Sequence, residues 1–261
     1  MKGTLVLLHG VASNSTRWAE FIANTGLNYR ILAPDLRGNG AAAAPRTRLG
    51  MDVWCADIAA ALDAERCARA VIGGHCLGAN IALQFAARYP QRVSALVLIE
   101  PMPPEALTGT MGWLALLKPL LHVLYGAARA LNALGIYRRR LEPLDLREWD
   151  RKTRGGELAL SLLASFSLDL KSTPVAAYAR MLAATAEPWP DAARIGVPVL
   201  ALLSTRSSFT DAERTRLALS ALRDCEIVEL DAVHWIPTEQ PEALRGAIED
   251  WLARRGPEAA A

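Results

Sequence analysis

The 261-residue chain has no Cys-x-x-Cys pair, and its four histidines form no cluster at metal-ligand spacing. Those absences argue against a zinc module and a disulfide framework, so Cys55, Cys67, Cys76 and Cys225 read as free thiols in a reducing cytoplasm. Charge of one sign is also lacking. Lys and Arg total 29 against 27 Asp and Glu, a formal +2, and the basic residues are scattered, which argues against nucleic acid as a partner. No run of about 18 uncharged apolar residues exists either. Met111 to Leu134 is rich in Leu, Ala and Trp, but Lys118, Pro119, His122 and Arg129 interrupt it. That stretch reads as a buried or lid helix pair rather than an interfacial helix, and no integral membrane segment is expected. Met1-Lys2-Gly3 leads directly into a short apolar strand, too short for the apolar core of a signal peptide, so the expected location is cytoplasmic.

What is present is an alternation of short apolar runs with helical patterns. Strands are expected at Thr4 to Leu8, Tyr29 to Ala33, Ala68 to Gly73 and Val93 to Ile99. Helices are expected at Thr16 to Asn24, Met51 to Asp63 and Ala79 to Tyr89. Continuous apolar strands separated by helices imply an α/β fold, a mostly parallel sheet covered on both faces. The alternation resumes with strands at Val197 to Leu203 and Glu226 to Leu230 and helices at Thr210 to Leu222 and Pro241 to Arg254. Between them strand signals vanish, leaving helical periodicity broken by Pro and Gly. The expected organisation is a core of residues 1–100 and 191–261 with a helical insertion at 101–190, and a frayed tail from Arg255 to Ala261.

Gly74-His75-Cys76-Leu77-Gly78 lies between an expected strand and an expected helix. A reactive side chain between two glycines at a sharp strand-to-helix turn is the layout of a nucleophile elbow, here with cysteine where serine is usual. The N-terminus of the following helix favours a thiolate. Other polar features fall at the same sheet edge: His9-Gly10, Asp35, Glu100, Ser204 to Asp211 and His234 each follow an expected strand. In open parallel sheets chemistry gathers at the carboxyl ends of the strands. Convergence of independent motifs there favours a reactive Cys76 over a structural cysteine in a Gly-rich turn.

Taken in order, Leu7-Leu8-His9-Gly10, Pro34-Asp35-Leu36-Arg37-Gly38-Asn39-Gly40, the Cys76 elbow, Leu96-Val97-Leu98-Ile99-Glu100-Pro101 and Ala232-Val233-His234-Trp235 followed by Glu239-Gln240-Pro241-Glu242 resemble the α/β-hydrolase superfamily over nearly the whole chain. The family's usual leading β-hairpin is missing. The resemblance implies a helical cap over the site, Cys76 as nucleophile, His234 as base, and the backbone N–H groups of Val11 and Leu77 as oxyanion hole. It gives His9 and His75 structural roles, makes Asp35 and Arg37 shapers of a loop, and places His122 in the cap as a partly buried residue. Cofactor and metal are not implied.

The acid is less direct. Most relatives place an aspartate after the strand equivalent to Val197 to Leu203, and Ser207 stands there in this chain. Some relatives carry the acid at the end of the strand following the elbow, where Glu100 stands, so Glu100 is the first choice and Asp211 the alternative. A Cys-His dyad without acid also stays open. Cys76 sets aside the alkyl-ester chemistry of aspartate-nucleophile relatives and leaves acyl chemistry. The expected function is a hydrolase acting on an apolar ester, thioester or lactone, a carrier-bound thioester included. An acyltransferase or cyclase using the same acyl-thioester, and a non-catalytic ligand-binding member, are the alternatives.

Overall fold

A computed structural model describes residues 3–43, 47–136 and 140–255. Six strands form one sheet: β1 (Gly3–Leu8), β2 (Tyr29–Leu32), β3 (Ala70–His75), β4 (Val93–Ile99), β5 (Val199–Ser204) and β6 (Cys225–Leu230). Their spatial order is β2-β1-β3-β4-β5-β6, and every pairing is parallel. The unbroken apolar character of the central strands has a simple cause. Alternate residues point to opposite faces, and both faces are buried. Val6, Leu8, Ile72, Leu96 and Leu98 join one core with α2 (Met51–Ala64) and α3 (Leu77–Arg88). Leu5, Leu7, Val71, Val97 and Ile99 join the other, against α1 (Ala19–Asn24) and the last helix, Pro241–Arg255.

Element types agree with the sequence reading, and boundaries shift where backbone chemistry intervenes. The first expected helix begins as a tight turn at Ser15–Trp18 capped by Asn14. The third strand runs on to His75, in register with Ile99. The fifth begins only at Val199, since Pro198 lacks an N–H for a central ladder. Of the tail expected to fray, Arg255 ends the last helix, and the rest lies outside the described residues.

Between β4 and β5 the described chain is helical: α4 (Gly109–Leu116), α5 (Lys118–Ala133), α6 (Leu146–Arg154), α7 (Phe166–Ser172) and α8 (Val175–Thr185). The alanines of α8 let it pack closely. It buries Ala177 and Met181 in the core beside α2 and α3 and meets Leu121 of α5 through Tyr178, Ala179 and Leu182. Helix α6 is tied to the turn after β1. Asn14 Nδ2 donates to Leu144 O (2.7 Å), the Leu146 N–H donates to Thr16 Oγ1 (3.0 Å), and Arg17 pairs with Asp150 in the interior (2.6 Å).

Met111 to Leu134 is expected to be a buried or lid helix pair, and of the two only burial is corrected. Helix α5 buries one stripe, Leu121, Ala128 and Asn132, and α4 buries no residue fully, because the surface that meets them, α8 with Ala12 and Leu170, covers only one side. Among the described residues no single helix is long and apolar enough to cross a membrane. Helices α4 and α5 pass that test only as a pair bent by 71°.

The remaining helices are α9 (Ala212–Ser220), α10 (Ile236–Glu239) and α11 (Pro241–Arg255). The chain reverses direction across the sheet at β1, which lies between β2 and β3. The crevice outside the carboxyl ends of β1 and β3 is therefore the topological switch point, where ligands bind in such sheets. Glycines make that edge buildable. A Cβ on Gly78 would run into the Leu8 carbonyl and lie 2.7 Å from the His9 carbonyl oxygen, and one on Gly74 would strike the Gly78 backbone. Gly78→Ala is expected to lower stability by about 1–3 kcal/mol, measured by denaturant unfolding, because the obstacle is backbone that cannot rotate away.

Candidate active site

Cys76 sits between β3 and α3 with φ 55° and ψ −120°, a conformation L-residues rarely adopt. Its N–H still donates to Ile99 O (2.9 Å), so the sheet holds the turn in place. Among the described residues four non-glycines have positive φ, and Ala12, Cys76 and Glu100 are three of them. Strained backbone at this edge, held by surrounding hydrogen bonds, fits a site whose geometry is built in advance.

Glu100, at the end of β4, is buried. Its Oε1 accepts from the Ser204 N–H, and its Oε2 accepts from Ser207 Oγ at 3.1 Å and from His234 Nδ1 at 3.1 Å. Ser207 thus stands at the position most relatives give to the acid and donates to the carboxylate that faces the histidine. Asp211 is elsewhere: its carboxylate accepts from the Arg214 N–H (2.8 Å) as the N-cap of α9. The structure therefore joins Cys76, His234 and Glu100 and leaves Asp211 outside the group.

His234 is buried in the loop between β6 and α10. Burial alone would pull its pKa down, but the Cys76 side chain and the Glu100 carboxylate outweigh it and push the ring up to about 9. With Nδ1 on Glu100, Nε2 is left for the sulfur. Two clamps fix the loop. His75 Nε2 donates to His234 O (3.0 Å), and the Glu239 carboxylate accepts from the N–H groups of Val233, His234 and Trp235 at 2.9, 3.1 and 2.8 Å. Phe209 closes the ring edge-on at a centroid distance of 4.7 Å.

The other histidines have structural positions or lie away from the site. His9 donates from Nδ1 to Gly10 O and accepts at Nε2 from the Leu36 N–H, both at 2.9 Å. Burial, its largest influence, holds it down to about 4, and burial lowers His75 as well. Asp35 accepts from the Ser15 and Ala41 N–H groups, and Arg37 pairs with Asp57, so both shape loops. His122 is not partly buried as expected. It is exposed on α5 and donates from Nδ1 to Lys118 O (2.8 Å).

Val11 follows a glycine whose lack of a side chain brings two loops together: a Cβ on Gly10 would lie 3.1 Å from Cys76 Cβ. Leu77 is the first residue of α3, so its N–H has no carbonyl a turn earlier in the helix. Val11 lines the same cavity as Cys76, and Leu77 follows Cys76 directly in the chain. The site opens into a cavity of about 410 Å³. Met111, Leu114, Leu162, Phe166 and Leu168 of the helical block line it, with Met102, Phe209 and Trp235.

Several lining groups carry no sequence signal. The Cys76 sulfur lies 3.2 Å from the Met102 thioether, and Asn80 holds Met102 by bonds to its N–H and C=O. Burial raises Asp169 to about 6 against the opposing effect of a hydrogen bond from Tyr178 (2.9 Å), and both side chains line the cavity. Arg17, also lining, donates to Asp150 and to Thr238. Glu239 stands five residues after His234, and nothing in that spacing announces a carboxylate gathering three amides. Among the described residues no group of three His, Cys, Asp or Glu is arranged to hold a metal.

The profile of a family described as alpha/beta hydrolase fold matches residues 3–240. A curated relative, 2-hydroxy-6-oxo-2,4-heptadienoate hydrolase of Pseudomonas putida, is 34% identical over 99 residues, 36% of this chain and 36% of that protein. The chain spans about a third of the length of the curated relatives it matches. Solved structures resemble it over most of its length. An esterase from Thermogutta terrifontis superposes with TM-score 0.66 at 21% identity, covering 97% of this chain and 91% of the other. The enol-lactonase of Burkholderia xenovorans LB400 gives 0.67 at 22%, covering 96% and 92%. At these identities the likeness is one of fold.

Proposed function

Since this chain belongs to the alpha/beta hydrolase fold family, we propose that it hydrolyses a carboxylic ester, thioester or lactone with an apolar acyl part, through an acyl-enzyme on Cys76. One observation carries the reading: a buried imidazole bonded through Nδ1 to Glu100 at 3.1 Å, with Cys76 on its other side, at the floor of a largely apolar cavity. Nucleophile, base and orienting group are thus in contact before substrate arrives.

The steps follow from these positions. The Cys76 sulfur bonds to the carbonyl carbon, and the π pair moves to the oxygen, which the Val11 and Leu77 amides receive. Collapse breaks the bond to the leaving oxygen or sulfur, and His234, carrying a proton near neutral pH, gives it to that group. Water then attacks the thioester, His234 takes the proton, and the sulfur leaves as thiolate while acid product departs. Glu100 holds the ring in one orientation throughout. Helices α4 to α8 act as a cap whose apolar side chains receive the acyl group and keep water from it. A carrier-bound thioester falls within the same chemistry.

The relatives' names support the class: a hydrolase of an unsaturated oxo acid by sequence, an esterase and an enol-lactonase by fold. A turnover panel of acyl esters and acyl thioesters of rising chain length tests it. The expected result is kcat/KM rising with apolar chain length until the cavity is filled, and loss of all turnover in Cys76→Ala. Equal turnover of acetyl and longer acyl groups, or activity surviving in Cys76→Ala, would count against the proposal.

A further inference from the structure

Of the charged side chains lining the cavity, Arg17 pairs with Asp150, and Glu142 and Lys171 are exposed. Asp169 of α7 is neither paired with a cation nor exposed. It is half-buried, and its Oδ2 accepts from the Tyr178 hydroxyl (2.9 Å), while Oδ1 meets no donor among the described residues. Burial pushes the carboxyl up to about 6, and the Tyr178 hydroxyl is what opposes it. At neutral pH the group is therefore mostly an ion, set in a largely apolar wall with an acceptor oxygen unfilled, a state that is costly until a donor arrives. Tyr178, on α8, is itself buried. It belongs to the cluster of Ala12 and Leu182 and meets Phe166 edge-on at 5.3 Å, so the hydroxyl that orients the carboxylate is fixed. Both side chains line the same cavity as Cys76 and His234.

We propose that Asp169, oriented by Tyr178, recognises a hydroxyl group carried on the acyl part of the substrate. The inference rests on the acyl-enzyme reading above and narrows its substrate class to hydroxylated acyl groups. An ionised carboxylate has only acceptor sites, so its partner must bring an O–H or N–H. A hydroxyl suits the surroundings better than an ammonium. It gives up little hydration on entering an apolar cavity and still makes a charge-assisted bond to the carboxylate, whereas an ammonium would have to shed a full ionic shell. A few fixed polar groups in an otherwise apolar wall are the usual means by which a pocket orients its ligand and selects it. The apolar side chains around Asp169, Phe166 and Leu168 among them, would hold the rest of the acyl chain.

The decanoyl ester of p-nitrophenol and its monohydroxylated counterparts, with the hydroxyl moved along the acyl chain, test this on the whole protein. At one hydroxyl position kcat/KM is expected to exceed that of the plain ester by about tenfold. In Asp169→Leu that ratio is expected to fall to about one, because no acceptor remains for the hydroxyl. Asp169→Asn, which keeps the shape should leucine impair folding, is expected to lower the ratio by about threefold or more. An ammonium at the same carbon is expected to gain less than the hydroxyl. Calorimetry of Cys76→Ala with decanoic acid and the hydroxylated acids is expected to show the same preference without turnover. A preference in binding with no turnover of any ester would sink the acyl-enzyme reading and leave this site standing. Equal binding of plain and hydroxylated acids overturns the proposal, as does turnover without a hydroxyl preference or a preference unchanged in both Asp169 variants. A larger gain for the ammonium also overturns it and assigns the carboxylate to a cationic ligand.

Discussion

Glu100→Gln is expected to lower kcat by about 10² to 10⁴-fold in protein that remains folded. The carboxylate accepts three bonds, from the Ser204 amide, the Ser207 hydroxyl and His234 Nδ1. A glutamine can turn its oxygen to only part of that set, and its NH₂ then faces a donor or forces the ring into the other tautomer. The loss of negative charge also removes one of the two influences that hold a proton on His234 against the pull of burial. The effect should fall in kcat more than in KM, since Glu100 is not among the residues lining the cavity. Asp211→Asn is expected to leave kcat unchanged, because that carboxylate caps α9. Steady-state kinetics on both variants, with thermal unfolding as control, checks the pair. An unaffected Glu100→Gln would point to a Cys-His dyad that needs no acid.

The largest expected loss of stability lies at Arg17 and Asp150. Both are buried, Arg17 donates to Asp150 and to Thr238, and Thr238 donates to Asp150 (2.7 Å). Burial acts against both charges, lowering the guanidinium and raising the carboxyl, so each ion depends on the other. Arg17→Met alone leaves an unpaired buried carboxylate and is expected to cost about 3–5 kcal/mol. That corresponds to a fall in Tm of roughly 10 °C for a chain of this size. Arg17→Met combined with Asp150→Leu is expected to recover most of the loss. Denaturant unfolding of the two singles and the double gives the coupling directly. Purely additive losses would show that the pair does not act as a unit. The pair also joins α6 to the turn after β1, so the single variants should loosen the cavity's roof before the sheet.

The sheet was legible because its cause is local. Continuous apolar runs such as Val93 to Ile99 and the helical spacing from Met51 onward declare burial on two faces and on one stripe. The groups gathered at the sheet edge were legible for a similar reason: each follows a strand, and a parallel sheet brings strand ends together. Glu100 was readable as a choice because Ser207 stood where an aspartate is usual. What no pattern announced are contacts made by chain folding over long separations. Met102 reaches the Cys76 sulfur through Asn80, and Arg17 meets a partner 133 residues away. Helices α4 and α5 show the opposite limit. Apolar content suggested burial, but composition cannot say whether a second surface exists to cover it, and here only one stripe finds one.

Intact-mass measurement of the protein mixed with an apolar acyl thioester, quenched within a few turnovers, tests most directly whether Cys76 carries the acyl group. The expected result is an added mass equal to the acyl group, localised to the peptide containing Cys76, absent in Cys76→Ala and discharged by water as free acid appears. Turnover with no acyl-enzyme at any quench time, or an adduct that persists in Cys76→Ala, would contradict it.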